Sequence, residues 1–445
     1  MEHVVIIGGV AGGMSAASKL RRLNEDLKIT VFEKDEHVSY GACGLPYYIS
    51  GVTETHEELL ARSVEDFEKR NIHVHLHTEV IEVNAEQKSV TVKNLKTIET
   101  ENIQYDKLLI ATGSKPVVPP FVPKDANNVF TLKTLRDGIN MRKFFQQESI
   151  KKVLIIGVGY IGMELLETMV ELKKDVIMVG LNNQVLGNFD SELANIIEKG
   201  VSDVASFALG EEVRELVCLE NAVKKVITNK SEYEVDAVIV NIGNKPNTEF
   251  LKNTGIDMLD NGAIIVNKHQ ESSIKDIFAA GDCATSNHLI LQKPVNIGLG
   301  TTANKHGRIA AYNINGMKTE FNGILGTNVL KILDWTAAMT GITEKVAKEE
   351  NIDFGTITVE TNGHASYYPN AEKIHVKLLW EKKTKRVIGA QLVGKDKGIA
   401  KRIDVLATAI TCKLTTDEIG MLDLSYAPPY ATVWDAVQVA ANAAK

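Results

Sequence analysis

Four cysteines are the residues of this sequence best suited to redox or nucleophilic chemistry, and they are Cys43, Cys218, Cys283 and Cys412. No two of them stand at Cys-x-x-Cys spacing, so the sequence predicts neither a disulfide scaffold nor a metal site. A lone cysteine is either a small buried residue or a reactive thiolate. The turn-forming residues Gly41, Gly44 and Pro46 leave little apolar bulk around Cys43, which favours a reactive thiol. A helix starting after this turn would lower the pKa of that thiol.

A glycine-rich turn near the start of the chain predicts a phosphate site. The β-branched run Val4–Ile7 precedes the turn, and the helix-forming residues Met14–Leu20 follow it. This order aims the N–H groups of a helix start at a pyrophosphate. The next strand, Ile29–Phe32, is followed by an acid placed to bind a ribose hydroxyl. The residues expected at this nucleotide are Gly8, Val10, Ala11, Gly12, Gly13, Glu33 and Lys34, with Val10 in the place of the usual second glycine.

The pattern recurs where the strand Val153–Ile156 leads through a second turn into Met163–Leu172. The residues expected at this second nucleotide are Gly157, Gly159, Tyr160, Ile161 and Gly162. Two such sites imply two dinucleotides, most economically a fixed flavin and a nicotinamide that delivers hydride to it. The following strand ends on Gly180, where an acid would favour NAD and an arginine NADP. The choice between NADH and NADPH is therefore open, and the preference is expected to be modest.

Three later segments each predict a strand that ends at a nucleotide. Tyr105–Gly113 and Val238–Gly243 both consist of apolar residues followed by a turn of small residues. Ser272–Asp282 ends on an acid that suits a ribityl hydroxyl, and Cys283 beside it is expected to pack in the core. The contacts these segments add are Ala111, Thr112, Gly113, Gly243, Gly281 and Asp282.

Together, the two glycine turns and the Ile277–Asp282 segment resemble the FAD-dependent pyridine nucleotide-disulfide oxidoreductases over essentially the whole chain. The resemblance implies an α/β fold with two Rossmann-like domains and an α+β C-terminal dimerisation domain. It places the FAD domain at residues 1–115 and 245–323, the NAD(P) domain at 116–244 and the dimerisation domain at 324–445. It also adds Ala303 to the cofactor contacts.

Within this family, the residues around Cys43 resemble the single-cysteine branch. Relatives of the glutathione-reductase type carry a second cysteine where this chain has Tyr48. A single thiol must alternate between thiolate and a mixed disulfide, a persulfide or a sulfenic acid, and each alternative is a different enzyme. The segment Ser39–Tyr48 is most similar to coenzyme A-disulfide reductases. This implies that Cys43 forms a mixed disulfide with coenzyme A, and that the substrate is coenzyme A disulfide, persulfide or polysulfide.

Two tyrosine-containing segments support the same resemblance. Tyr426 lies in Ser425–Tyr430, and the family places this tyrosine across a dimer interface, beside the active-site sulfur of the other chain. A second family tyrosine corresponds to Tyr367 or Tyr368, of which we favour Tyr367 as the catalytic one. A phenol can donate a proton to a leaving thiolate at neutral pH. The resemblance therefore implies a homodimer with a shared active site.

Coenzyme A also needs cations for its phosphates. Ser15, Lys19 and Arg22 recur at helical spacing on one face of the first helix, where a solvated helix end is the simpler interpretation. The resemblance favours a coenzyme A channel. Its expected residues are Ser15, Lys19, Arg22, Ser39, Ala42, Asn71, Asn304 and Tyr368.

Length and charge limit the possible functions. A chain of 445 residues is too long for one core, so two or three domains are expected. With 50 basic and 57 acidic residues the formal charge is -7, which argues against nucleic-acid and membrane partners. The chain has neither a spanning apolar run nor room for a signal peptide before Val4, so we expect a cytoplasmic protein.

Two other functions stay open. An NADH oxidase or peroxidase would cycle Cys43 through sulfenic acid and pass electrons to oxygen or peroxide. A flavin-bearing redox sensor with a protein partner would not need Tyr426 beside Cys43. One segment also departs from the family, because Ile196–Val213 predicts neither a clean helix nor a clean strand.

Overall fold

The computed structural model describes residues 1–444, and its first sheet joins strands from distant parts of the chain. Five parallel strands follow the order Ile277–Ala279, Lys107–Ile110, His3–Ile7, Lys28–Phe32 and Ile72–His75. Helices cover one face and a small antiparallel sheet covers the other, so the strands are apolar on both faces. That small sheet comprises Thr78–Asn84, Ser89–Asn94 and Thr100–Gln104.

Two helices on the first sheet pack directly against each other. They are Ala11–Leu23, here the first glycine helix, and Gly300–Ile314, here the cleft helix. Gly307 permits the close approach, because a Cβ there would lie 2.1 Å from the carbonyl oxygen of Gly12. Backbone therefore meets backbone where the two helices cross.

The second sheet repeats the design of the first. Its parallel strands follow the order Ala205–Leu209, Asp175–Gly180, Lys152–Ile156, Ala237–Val240 and Val129–Phe130. Three helices accompany it: Leu135–Phe145, Tyr160–Glu171 and Ser191–Val201. The other face is covered by the antiparallel strands Val213–Leu219, Ala222–Thr228 and Glu232–Glu234. We call Tyr160–Glu171 the second glycine helix.

One expectation for this sheet is wrong. Residues 196–213 predicted no clean helix or strand, but the structure has the helix Ser191–Val201 and the strand Ala205–Leu209. Leu193, Ile197 and Val201 recur every four residues and are buried along one face of the helix. The segment 196–213 begins in the middle of this helix, so it contains only part of the apolar repeat.

The third sheet is antiparallel and lies near the C-terminus. Its strands follow the order Asn328–Ile332, Trp335–Gly341, Val387–Gly394, Lys373–Glu381 and Phe354–Asn362. The helices of this part are Glu344–Glu349, Ile399–Thr411, Thr416–Gly420 and Ala436–Ala443. Together the three sheets confirm the predicted fold class, two parallel α/β layers followed by an α+β unit.

Short elements connect these layers. Ser114–Pro116 pairs antiparallel with Asn244–Pro246, so both chain crossings between the first and second sheets run side by side. The predicted limits at residues 115/116 and 244/245 fall on this ribbon, and all the domain limits stay a prediction. The remaining elements are the helices Leu45–Ser50 and Val64–Glu68 and the strand pair Ser286–Asn287 with Pro294–Val295. Among residues 1–444, no helix is both long and apolar enough to cross a membrane.

Candidate active site

Cys43 lies in a single 3-10 turn, Ala42–Gly44, that leads into the helix Leu45–Ser50. The Gly44 N–H donates to the Gly41 carbonyl at 2.9 Å and closes the turn, as the glycine spacing predicted. The thiol is exposed. It faces the start of the cleft helix, because a Cβ on Gly300 would lie 4.0 Å from the sulfur.

The electrostatic surroundings of Cys43 correct one expectation. We predicted that a helix start would lower its pKa, but the structure raises the pKa of the thiol. Although Cys43 stays accessible at the surface, the surrounding protein atoms partly desolvate its sulfur, and this is the main cause; the charges of Glu164 and Asp282 add to it, while Lys133 opposes them. The backbone of this short turn lowers the pKa of the thiol by less than burial and the two carboxylates raise it. The free thiol is therefore protonated near neutral pH and needs a base.

Glu164 is the carboxyl group that could serve as this base, and the sequence pattern did not identify it. It lies on the second glycine helix, which touches the cysteine segment where the Thr168 hydroxyl donates to the Pro46 carbonyl at 3.3 Å. Burial, and then the charge of Glu167, raise the pKa of Glu164 to about 7. A group with this pKa can take or return a proton at neutral pH.

The first glycine turn forms a backbone cradle. Gly8 has a φ of 103°, and a Cβ there would lie 2.3 Å from the carbonyl oxygen of Ala111. A Cβ on Gly13 would lie 1.9 Å from the carbonyl oxygen of Gly8, so only glycine fits either position. Glu33 accepts the N–H of Gly9 at 2.7 Å, and burial raises the pKa of its carboxyl group. Gly12 and Ala11 begin the helix after Val10, and Lys34 is exposed nearby.

Asp282 lies beside this cradle, in the turn Gly281–Cys283. It accepts from Ser114 Oγ at 3.0 Å and Lys133 Nζ at 2.8 Å. Lys133 lies between the strand Val129–Phe130 and the helix Leu135–Phe145. The sequence pattern did not identify it, because nothing near it in sequence suggests a nucleotide. The remaining predicted residues here are Ala111, Thr112, Gly113 and Ala303, of which Ala303 packs against Gly281. Cys283 is fully buried, as expected.

The second glycine turn has the same register to its neighbouring strand as the first. Gly157 N–H donates to Val179 at 2.8 Å, as Gly8 N–H does to Phe32. Gly180 therefore occupies the position of Glu33, and Val158 that of Gly9. In the first turn the larger side chain is Glu33, after the strand, whereas in the second turn it is Val158, within the turn. Val158 fills the space beside Gly180, where a Cβ would lie 2.7 Å from its side chain.

The other predicted residues of the second turn lie together. Gly159 caps the start of the helix, and a Cβ there would meet no atom within 4 Å. A Cβ on Gly162 would lie 2.2 Å from the carbonyl oxygen of Gly157, so glycine is required there. Tyr160 packs edge-on against Phe189 with the ring centres 6.3 Å apart. Ile161 and Gly243 lie at the same edge, where Gly243 has a φ of 116°.

Some of the predicted coenzyme A residues lie along the first glycine helix. Ser15 Oγ donates to Asn304 Oδ1 at 2.5 Å, and Lys19 Nζ lies 4.5 Å from the ring centre of Tyr312. Arg22 is exposed beyond Lys19 on the same helix. Ser39 and Ala42 accompany Cys43, with the Ser39 N–H donating to Gly9 at 2.8 Å. The Asn71 carbonyl accepts from Arg21 of this helix at 2.7 Å.

Tyr367 and Tyr426 come together although they are far apart in sequence. Their phenol oxygens are 2.9 Å apart, and both side chains are exposed. Tyr368 instead lies edge-on to His364, with ring centres 5.7 Å apart. Tyr430, Val433 and Trp434 are also exposed, so the two phenols belong to an apolar surface of the third unit.

A buried ion network connects the second and third units. Asp190, Glu192 and Glu344 converge on the amine of Lys377, which is 3.0 Å from Asp190 and 2.6 Å from Glu344. Gln391 donates to Asp190 at 2.7 Å. The lysine compensates part of the carboxylate charge, so the cluster serves to join two units.

Comparison with known proteins covers the chain from end to end. The family described as pyridine nucleotide-disulphide oxidoreductase matches residues 2–307, and the dimerisation domain of that family matches residues 328–437. The chain is 37% identical to an NAD(P)H sulfur oxidoreductase (CoA-dependent) of Pyrococcus furiosus, over 100% of this chain and 99% of the relative. It is 34% identical to an NADH oxidase of Enterococcus faecalis, over 99% of each. It is 33% identical to a coenzyme A disulfide reductase of Staphylococcus aureus, over 100% of each.

Proposed function

This chain belongs to the pyridine nucleotide-disulphide oxidoreductase family, and from that premise we propose that it reduces coenzyme A disulfide, or coenzyme A persulfide or polysulfide, with NAD(P)H and FAD. The observation that carries the proposal is the exposed Cys43, which has no second cysteine beside it because the buried Tyr48 takes that place. Without an internal partner, this sulfur exchanges with the sulfur of an outside molecule. Coenzyme A is named for the substrate or activity of two of the relatives.

The first glycine turn fits FAD. The cradle of Gly8, Gly12 and Gly13 accepts a pyrophosphate, while Asp282, held by Lys133, accepts a ribityl hydroxyl. The second glycine turn holds NAD(P)H. When bound, FAD passes the electron pair of NAD(P)H to sulfur.

Cys43 takes part in two exchange steps. Its thiolate attacks coenzyme A disulfide, forming a Cys43–coenzyme A disulfide bond and releasing one coenzyme A thiolate. Two electrons from NAD(P)H then break that bond, which releases the second coenzyme A and restores the Cys43 thiolate. One disulfide, one NAD(P)H and one proton thus yield two coenzyme A thiols and NAD(P)⁺. Glu164 accepts the proton of the resting thiol.

The leaving thiolates need a proton donor, and the exposed pair Tyr426 and Tyr367 supplies it. The match to a dimerisation domain indicates a homodimer. In that dimer, the two phenols reach Cys43 of the other chain, because they lie on the apolar face of the third unit. We propose three domains: an FAD domain formed by residues 1–115 and 245–323, an NAD(P) domain formed by 116–244, and a dimerisation domain formed by 324–445.

The second candidate function is an NADH oxidase or peroxidase, favoured by the 34% identical relative with that name. In that enzyme, peroxide would oxidise the Cys43 thiol to sulfenic acid and leave as water, and with oxygen as acceptor that peroxide would come from two-electron reduction of oxygen. The acceptor therefore distinguishes the two functions.

Anaerobic turnover tests the proposal. FAD-loaded protein with NADH and coenzyme A disulfide should release two thiols for each NADH consumed, because one disulfide takes one electron pair. Thiols are counted with a chromogenic disulfide, and NADH by its absorbance. NADH consumption that requires oxygen and yields no coenzyme A would favour the oxidase.

Nicotinamide selectivity should be modest in the wild-type protein, within about a hundredfold, because the charge-assisted bond that would decide it is missing at Gly180. Gly180→Asp alone should gain little, since its Cβ meets Val158. The double variant Val158→Gly with Gly180→Asp reproduces the Gly9 and Glu33 pair, and should shift kcat/KM toward NADH about tenfold. A wild-type preference beyond a thousandfold, or a single variant that performs as well as the double one, would contradict this interpretation.

A further inference from the structure

The two paired phenols lie on separate loops of turns and irregular backbone. Residues 363–372, here called the first tyrosine loop, carry Tyr367, and residues 421–435, here called the second tyrosine loop, carry Tyr426. Both side chains are exposed, so burial does not fix either ring. The 2.9 Å contact between the phenol oxygens therefore depends on how the two loops are held relative to each other.

One buried guanidinium binds both loops. Arg402 lies on the helix that follows the last strand of the third sheet in the chain, and its side chain is buried. Its Nη2 donates to the Gly363 carbonyl at 2.6 Å and to the Tyr430 carbonyl at 3.1 Å. Gly363 begins the loop of Tyr367, and Tyr430 lies one turn beyond Tyr426. A single nitrogen thus connects the two loops close to the two phenols.

Two carboxylates hold this guanidinium in place. Its Nε donates to Asp435 at 2.9 Å, and its Nη1 donates to Asp396 at 3.5 Å. Asp435 also accepts the Val437 N–H at 3.0 Å and so caps the last helix, while Asp396 accepts the Gly398 N–H at 2.6 Å. Because a guanidinium is planar, the carboxylates that fix its plane also set the direction of the bonds to the two loops.

We propose that Arg402 is a positioning residue that fixes Tyr367 and Tyr426 relative to each other, so that the pair presents a proton donor. This assignment rests on the proposed function, in which the phenols protonate the leaving thiolates. The hydrogen bond to Tyr367 raises the pKa of the Tyr426 phenol, so Tyr426 holds its proton and is available as the donor. A lysine in place of Arg402 keeps the charge but loses the planar fork that reaches carbonyls and carboxylates together.

A double-variant comparison tests this role. Arg402→Lys should lower kcat for coenzyme A disulfide at least about tenfold, because a misplaced proton donor loses much of its effect on the rate. Flavin reduction by NADH, followed by stopped-flow absorbance, should stay at the wild-type rate. In the Tyr426→Phe background, the same change should lower kcat less than about twofold, since the donor that Arg402 positions is already lost. Equal losses in both backgrounds, or a wild-type kcat for Arg402→Lys, overturn the assignment.

Two further variants complete this comparison. The control is Arg386→Lys, the same change at an exposed arginine of the third unit, which should leave kcat unchanged. If Arg402→Lys yields no FAD-binding dimer, Asp435→Asn takes its place. The asparagine still caps the Val437 N–H through its amide oxygen, but the charge bound to Nε is lost. Its loss of kcat should likewise be masked by Tyr426→Phe, and an unmasked loss overturns the assignment.

Hydrogen exchange separates failure of this role from failure of the proposed function. In FAD-loaded Arg402→Lys protein, the amides of both tyrosine loops, including those of Ala365 and Tyr430, should exchange at least about tenfold faster than in the wild type. The amides of the three sheets should exchange at unchanged rates. Unchanged exchange in either loop, or faster exchange throughout the third unit, overturns the assignment. Wild-type protein that does not reduce coenzyme A disulfide refutes the proposed function, and hydrogen exchange then decides whether Arg402 fixes the two loops.

Discussion

Replacing Cys43 with serine is expected to lower turnover of coenzyme A disulfide by at least about a thousandfold, since a serine hydroxyl cannot form a disulfide. FAD content and reduction of the flavin by NADH should stay near wild-type levels, because the glycine cradle and the second nucleotide site do not use this side chain. Stopped-flow absorbance measures the first half-reaction, and released thiol the second.

The other cysteines provide the controls for this variant. Cys218 and Cys412 are exposed like Cys43 but lie in the second and third units, so serine at either position should leave turnover largely intact. Cys283 is fully buried and donates to the Ile110 carbonyl at 3.5 Å. Serine there should preserve activity in the folded fraction. A Cys43→Ser protein that turns over coenzyme A disulfide normally would place the nucleophile elsewhere.

Tyr426→Phe should lower kcat by about a hundredfold or more, the range seen when a general acid is lost. The variant keeps the ring and its packing, so the dimer should be retained. Tyr367→Phe should have a smaller effect, because Tyr367 acts on Tyr426 through the 2.9 Å contact between their oxygens.

A shared site makes these defects complementary. When Cys43→Ser chains are mixed with Tyr426→Phe chains, half of the dimers are mixed, and one of the two sites in each is complete. Activity should therefore recover to about a quarter of the wild-type level. The control is each parent carried alone through the same unfolding and refolding exchange. No recovery above the parents would mean that Tyr426 does not serve Cys43 across the interface.

The features that sequence predicted well are those with local backbone causes. Gly8 and Gly157 both need a positive φ and close contact with a neighbouring carbonyl, so glycine patterns locate them. The helix Ser191–Val201 was missed because a divided window hid its apolar repeat. The apolar repeat of a helix can be recognised in the sequence when the segment considered spans the whole helix.

Features that depend on distant residues were not predictable in this way. The pKa of Cys43 is governed by burial and by Glu164 and Asp282, which belong to the second glycine helix and to the turn after the last strand of the first sheet. The packing of Val158 into the space beside Gly180 is visible only once both strands are paired.

The central claim is that Cys43 carries coenzyme A during turnover, and mass spectrometry of digested protein tests it most directly. FAD-loaded protein is mixed with coenzyme A disulfide without NADH, quenched in acid with an alkylating agent, and digested. The peptide containing Cys43 should be heavier by one coenzyme A, and the addition should disappear when NADH is supplied before the quench. An unmodified Cys43 peptide, a coenzyme A addition confined to another cysteine, or an adduct that NADH does not remove would contradict the account.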